Sequence, residues 1–184
     1  ALLNAPSPGN QLVRGTSTLP VDPRVEIAAG NFARVPIVIG STLDEGRAFS
    51  QSALGYTREQ YEASVRQRWG VNADAVLTHY PWPEDADQFS AAYLLGAITT
   101  DTISLGGCQQ RQLENDIARY VPTWAYEWAT RGGVAWYDVP GYDWGAGHAT
   151  ELPYLFPDRN GGANAAAFDA RARSLAVELR AYWG

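Results

Sequence analysis

From Val121 to Trp128 the chain alternates, with Trp124, Tyr126 and Trp128 on one side and Thr123, Ala125 and Glu127 on the other. A period of two places alternate side chains on opposite faces, so this stretch predicts a strand. The run Val35-Pro36-Ile37-Val38-Ile39-Gly40 is continuously apolar instead, which predicts a strand covered on both faces, as in a parallel α/β sheet. Pro36 fits there, because the first residues of a strand need not donate to the ladder. Helical spacing marks other segments. Thr57 and Gln60 have capping-box spacing, Tyr61, Val65 and Trp69 recur on one face, and Gly70 stops the helix. Pro83-Glu84-Asp85 reads as a second start, with Phe89, Ala92 and Tyr93 inward. A third helix is expected from Thr100 to Arg119, lined by Ile103, Leu113, Ile117 and Tyr120, with Gly106-Gly107 as its weak point. Asn164 is expected to cap a last helix striped by Phe168, Ala172, Leu175, Leu179 and Tyr182, with Asp169 and Arg173 as an i,i+4 pair. Turns or loops fall at Arg131-Gly132-Gly133, at 140–147 and at 157–162, and no internal repeat is visible. Strands among long helices point to an α/β layered architecture.

Residues 1–24 hold Pro6, Pro8, Gly9, Gly15, Pro20 and Pro23 without helical periodicity, and read as an extended irregular segment. The 184 residues are 46% hydrophobic, enough for a core and too many for disorder. A formal net charge of −6 argues against nucleic-acid binding, which requires a basic face. No run reaches the ~18 apolar residues of a membrane span. Ala1 to Pro8 lacks the basic and apolar regions of a signal peptide, so the compartment, secreted or cytoplasmic, stays open. The chain contains no Met, which reads as processing, excision or a fragment. One Cys and two His are too few for a structural zinc site, and no cofactor is implied.

Gly40-Ser41-Thr42-Leu43-Asp44-Glu45-Gly46 directly follows the apolar strand, where α/β sheets gather their functional groups. The two carboxylates are placed either to orient a base or to cap the next helix. His148, in Gly145-Ala146-Gly147-His148-Ala149-Thr150-Glu151, lies on a loop of small residues; it reads either as a general base or as an ordinary loop histidine. His79, among aromatics, reads as a surface or packing residue. A nucleophile is missing. Neither Ser17 nor Ser41 has the Gly-x-Ser-x-Gly setting of a hydrolase elbow. Cys108, in Gly106-Gly107-Cys108-Gln109, has no nearby basic residue to activate it and reads as structural.

These segments resemble the C-terminal half of type-B carboxylesterases, the cholinesterase branch of the α/β-hydrolases. The matching pieces run in family order from Leu19-Pro20-Val21-Asp22 with Gly30-Asn31-Phe32, through Val35 to Gly46, Thr100-Asp101 and Pro122 to Trp128. They end with Gly147 to Phe156 and Ala181-Tyr182-Trp183. The resemblance implies an α/β fold that is the C-terminal part of an α/β-hydrolase, its last sheet strands plus surrounding helices, incomplete as a domain over 1–184. It also implies that Glu45 is the triad acid and His148 the triad base of a serine carboxylic-ester hydrolase. The family position of Glu151 is structural and that of Asp101 lies on a core helix. Trp144 either walls the substrate pocket or packs the loop. The nucleophilic serine and the oxyanion loop belong to an N-terminal half, expected as the partner of this chain alongside a small carboxylic ester. The lone Cys108 departs from the disulfide pattern of animal members and fits a microbial-type esterase. Two other readings stay open: a non-catalytic cholinesterase-like adhesion domain, and a carbohydrate-binding module, although the aromatics sit at core-like spacings. A chain with such open sheet edges is expected to aggregate or to depend on a partner.

Overall fold

The computed structural model describes residues 14–102, 107–131, 139–157 and 168–184. Helix α1 (Pro23–Ala29) begins within the last two residues of the segment read as irregular. The Asp22 side chain accepts the Arg24 N–H at its start, and Gly30, at φ 83°, closes it in the left-handed region. A Cβ on Gly30 would lie 2.7 Å from the Tyr120 ring, whose hydroxyl donates to Ala28 O at 2.8 Å.

Strand β1 (Ile37–Thr42) and strand β2 (Thr123–Trp128) pair in parallel, from Ile37 opposite Thr123 to Thr42 opposite Trp128. Parallel strands cannot be joined by a tight turn. The connection here carries α2 (Arg58–Trp69), α3 (Ala73–His79), α4 (Ser90–Thr102) and α5 (Gly107–Ala118). Ile37 to Ser41 are half-buried, so the expected burial of β1 on both faces is not met among the described residues. On β2 the expected alternation is graded: Trp128 is buried, Tyr126 half-buried and Trp124 53% exposed.

Helix α2 follows its local signals closely. Thr57 and Gln60 form the reciprocal capping box, Tyr61 and Val65 are fully buried, and Gly70 ends it. The other helix boundaries need correction. α4 starts at Ser90, not near Pro83, because the Asp87 side chain takes the Phe89 N–H at 2.8 Å while the Ser90 hydroxyl takes the Asp87 N–H at 2.8 Å. The helix expected over Thr100–Arg119 is divided: Thr100 to Thr102 end α4, and α5 opens at Gly107. Ile103 lies outside the described residues, and Cys108 is exposed in the first turn of α5. After the short α6 (Leu152–Leu155), helix α7 (Ala170–Trp183) is capped by Asp169, whose carboxylate accepts the Ala172 N–H at 2.7 Å. Asp169 thus serves the backbone of its own helix, the cap expected of Asn164, which lies outside the described residues. The loops expected at 132–133 and 158–162 also lie outside them.

Two apolar clusters result. One gathers Tyr61, Val65, Ile98, Tyr142 and Trp144 under α2 and α4; the other joins Trp128, Ala146, Tyr154, Phe168 and Ala176 between β2 and α7. Each side of the loop from Val139 to Thr150 touches one cluster, which fixes that loop over the ends of the two strands. Among the described residues, no helix is long and apolar enough to cross a membrane.

Candidate active site

Glu45 opens a 3-10 turn (Glu45–Phe49) three residues past Thr42, the end of β1. The turn lies against α4. A Cβ on Gly46 would sit 2.1 Å from Gly96 O, so only glycine allows this approach, and the Gly46 N–H donates to Thr100 Oγ1 at 2.8 Å. Pressed down in this way, Glu45 is 4% exposed. A buried carboxylate needs partners, and both of its oxygens have one. The Thr42 hydroxyl donates to Oε2, and His148 Nδ1 is hydrogen-bonded to Oε1. A carboxylate only accepts, so Nδ1 carries the proton and the tautomer is set, leaving Nε2 as the ring nitrogen not bound to the acid.

His148 comes from the loop beyond β2, which is held on both sides. Upstream, Gly145 has φ 55° and Ala146 is fully buried. Downstream, the Thr150 N–H and hydroxyl both donate to Gly147 O, at 3.1 and 2.9 Å, and the Trp128 indole N–H donates to Thr150 Oγ1 at 3.2 Å. Ala149 has φ 64°, a left-handed conformation unusual for a residue with a Cβ, directly after the histidine. Phe49 packs on the imidazole with ring centroids 5.0 Å apart, and the His148 side chain remains 40% exposed.

The hydrogen bond to Glu45 raises the His148 pKa above its ordinary 6.5, opposed by burial and aided by the charges of Glu45 and Glu151. Burial raises the Glu151 carboxyl in turn, and the nearby Glu45 charge adds to this. Glu151 Oε2 is buried without a hydrogen-bond partner among the described residues.

Glu45 and His148, separated by 103 positions in sequence, therefore meet in space. Asp101 lies on α4 and accepts the Tyr80 hydroxyl, away from the imidazole's partners. Trp144 is 6% exposed and meets Tyr142 edge-on, so it packs beneath the loop. His79 is exposed against Tyr80. Sequence reasoning did not single out Thr42, Phe49 or Thr150 for the site. A hydroxyl three residues before an acid is too common a pattern to signal such a contact. Among the described residues, no group of three or more His, Cys, Asp or Glu side chains could hold a metal ion.

No protein-family model matches the chain. It is 31% identical over 179 residues to the fumonisin B1 esterase of Sphingopyxis macrogoltabida, covering 90% of this chain and 29% of that protein. Among solved structures, a thermophilic PNB esterase matches 90% of this chain and 32% of its own length, with a TM-score of 0.60 and 24% identity. Another PNB esterase structure matches with a TM-score of 0.56 and 23% identity, over 31% of its length. The chain spans about a third of the proteins it matches. Motif order, fold and relatives agree: this chain is similar to the C-terminal portion of the type-B carboxylesterases, and its fold is part of an α/β-hydrolase.

Proposed function

We propose that this chain supplies the acid and the base of a serine carboxylic-ester hydrolase, with the nucleophilic serine and the oxyanion donors on an N-terminal half outside it. The observation that carries this reading is the His148 Nδ1 to Glu45 bond at the carboxyl ends of two parallel strands. It leaves Nε2 for a second partner. The esterase names of the relatives support an ester as the substrate class.

In the proposed reaction, His148 Nε2 takes the proton of the serine hydroxyl as its oxygen attacks the ester carbonyl. The same proton then passes to the leaving alcohol as the carbonyl re-forms. Water repeats the sequence on the acyl-enzyme and releases the acid. Glu45 holds the ring and stabilises the imidazolium. Thr42 keeps the second carboxylate oxygen satisfied, so Oε1 stays aimed at the ring.

The test is hydrolysis of a p-nitrophenyl ester by this chain alone and by the chain together with the N-terminal half. Activity is expected only in the second case, and His148→Ala should abolish it there. Turnover by the chain alone would overturn the placement of the nucleophile. An unchanged rate in His148→Ala would overturn the role of the histidine.

A further inference from the structure

The residue beside the acid makes a separate set of contacts. The Asp44 N–H donates to Ala146 O at 2.9 Å, and the Ala146 N–H donates back to Asp44 Oδ2 at 2.9 Å. One residue thus holds both main-chain groups of a fully buried residue two positions before His148. Gly145 makes the approach possible, since a Cβ there would lie 2.3 Å from Asp44 Oδ2.

Two guanidinium groups surround the same carboxylate. Arg47 lies 3.3 Å from Oδ1 and Arg131 lies 3.7 Å from Oδ2. Arg47 also reaches Asp143, through the carbonyl at 2.8 Å and the carboxylate at 3.1 Å, and lies over the Tyr93 ring at 4.6 Å. Asp143 in turn accepts the Gly145 N–H at 2.8 Å, and its own N–H donates to the Tyr93 hydroxyl at 2.9 Å. The loop from Asp143 to Ala146 is therefore tied at its two ends to Arg47 and Asp44, in and beside the turn that carries Glu45. The side chains of Asp44 and Arg47 are 13% and 17% exposed, so their contact is sheltered from solvent and salt, whereas Arg131 and Asp143 are open to both.

We propose that Asp44 is a positioning residue for His148: it clamps the backbone of Ala146 to the end of β1, so that consecutive residues place the loop and orient the ring. Asp44 fixes where the histidine stands, and Glu45 fixes which way its imidazole faces. The importance of His148 for turnover rests on the ester-hydrolase reading. The clamp itself does not.

The test is nuclear magnetic resonance on this chain with labelled histidine, together with its N-terminal half, following the imidazole of His148 through its titration. The groups facing the His148 ring are Glu45 and Phe49 from the turn after β1, and Glu151 from its own loop. In the wild type, His148 is expected to titrate above 6.5. Asp44→Ala should lower that value by about half a unit or more, because a loosened loop weakens the bond to Glu45. Asp44→Asn keeps an oxygen for the Ala146 N–H and should retain most of the wild-type value. An unchanged His148 titration in folded Asp44→Ala would overturn the proposal. So would its loss in Asp44→Asn, which would assign the effect to charge and not to the clamp. Should Asp44→Ala fail to fold, the wild type still decides: the Ala146 amide must exchange slowly with solvent, and exchange at the rate of an open loop would overturn the proposal. None of these readouts depends on turnover, so unchanged ester hydrolysis in His148→Ala would reject the catalytic reading and leave the clamp standing.

Discussion

The α-carbon of Gly46 lies against the backbone of α4, where a methyl group would stand 2.1 Å from the carbonyl oxygen of Gly96 and 2.8 Å from Thr99 Cβ. Neither neighbour is the free end of a flexible chain, so relief requires the turn and the helix to separate. Gly46→Ala is expected to destabilise the chain by about 2–3 kcal/mol, the upper range for overpacking a close contact. Denaturant unfolding measures this. The same variant should lower the His148 titration, because Glu45 moves with the turn.

Glu45→Gln keeps the shape of the acid and removes its charge. The hydrogen bond that raises the His148 pKa becomes a neutral one and the Glu45 charge beside it is gone, so the imidazole should titrate lower than in the wild type. In the completed hydrolase, the rate is expected to fall by about 10²–10⁴-fold through loss of imidazolium stabilisation and ring orientation. Activity within threefold of wild type would reject Glu45 as the acid.

The raised His148 pKa also gives stability a pH dependence of known sign. The folded value exceeds the unfolded one, so the folded state binds the proton more tightly. The resulting stabilisation is fully present below pH 6.5 and is lost as pH rises through the folded value. Subtracting the pH profile of His148→Asn from that of the wild type removes the other titrating groups. The difference in unfolding free energy is expected to shrink from pH 6 towards pH 9, and growth over that range would contradict the sign. For catalysis the direction is the opposite. The neutral ring is the base, so the acidic limb of the rate profile should lie above 6.5.

Thr150 is fully buried, with its hydroxyl between the Trp128 indole N–H and the Gly147 carbonyl. Thr150→Val keeps the shape and leaves the indole N–H unpaired, an expected loss of about 1–3 kcal/mol. Trp128→Phe in the same background removes the orphaned donor, so part of the cost attributed to the hydroxyl should disappear. A double-mutant cycle read by thermal unfolding separates this coupling from the cavity left by the smaller ring.

How far the chain could be read from its residues depended on how local each signal was. Thr57, Gln60, Tyr61, Val65 and Gly70 define α2 because a cap, a stripe and a stop act within a few turns. Pro83 was misleading as a helix start, since the choice fell to Asp87 and Ser90, whose side chains could equally have faced solvent. The start of α7 shows the same ambiguity, with Asp169 acting as cap instead of pairing with Arg173. Strand positions in β1 and β2 were visible, but their half-buried state was not, because burial depends on what packs across the sheet. Glu45 and His148 stood out singly as candidates. Their bond, between residues 103 positions apart, follows from a parallel pairing of distant strands, which no local spacing encodes; the order of family motifs supplied that link.

The final rung of the β1–β2 ladder pairs Thr42 with Trp128. Thr42 reaches forward to Glu45, and Trp128 reaches forward to Thr150 in the histidine loop. Each strand end is therefore keyed to one half of the acid–base pair. A slip of a single residue in either strand would turn that strand's side chain to the opposite face and displace its half of the pair by about 3.3 Å, beyond hydrogen-bond reach. The same slip would take Trp128 out of the apolar cluster it shares with Ala146, Tyr154 and Phe168. The strand ladder is thus an alignment gauge: the register that buries Trp128 is the one that brings the acid and the base together.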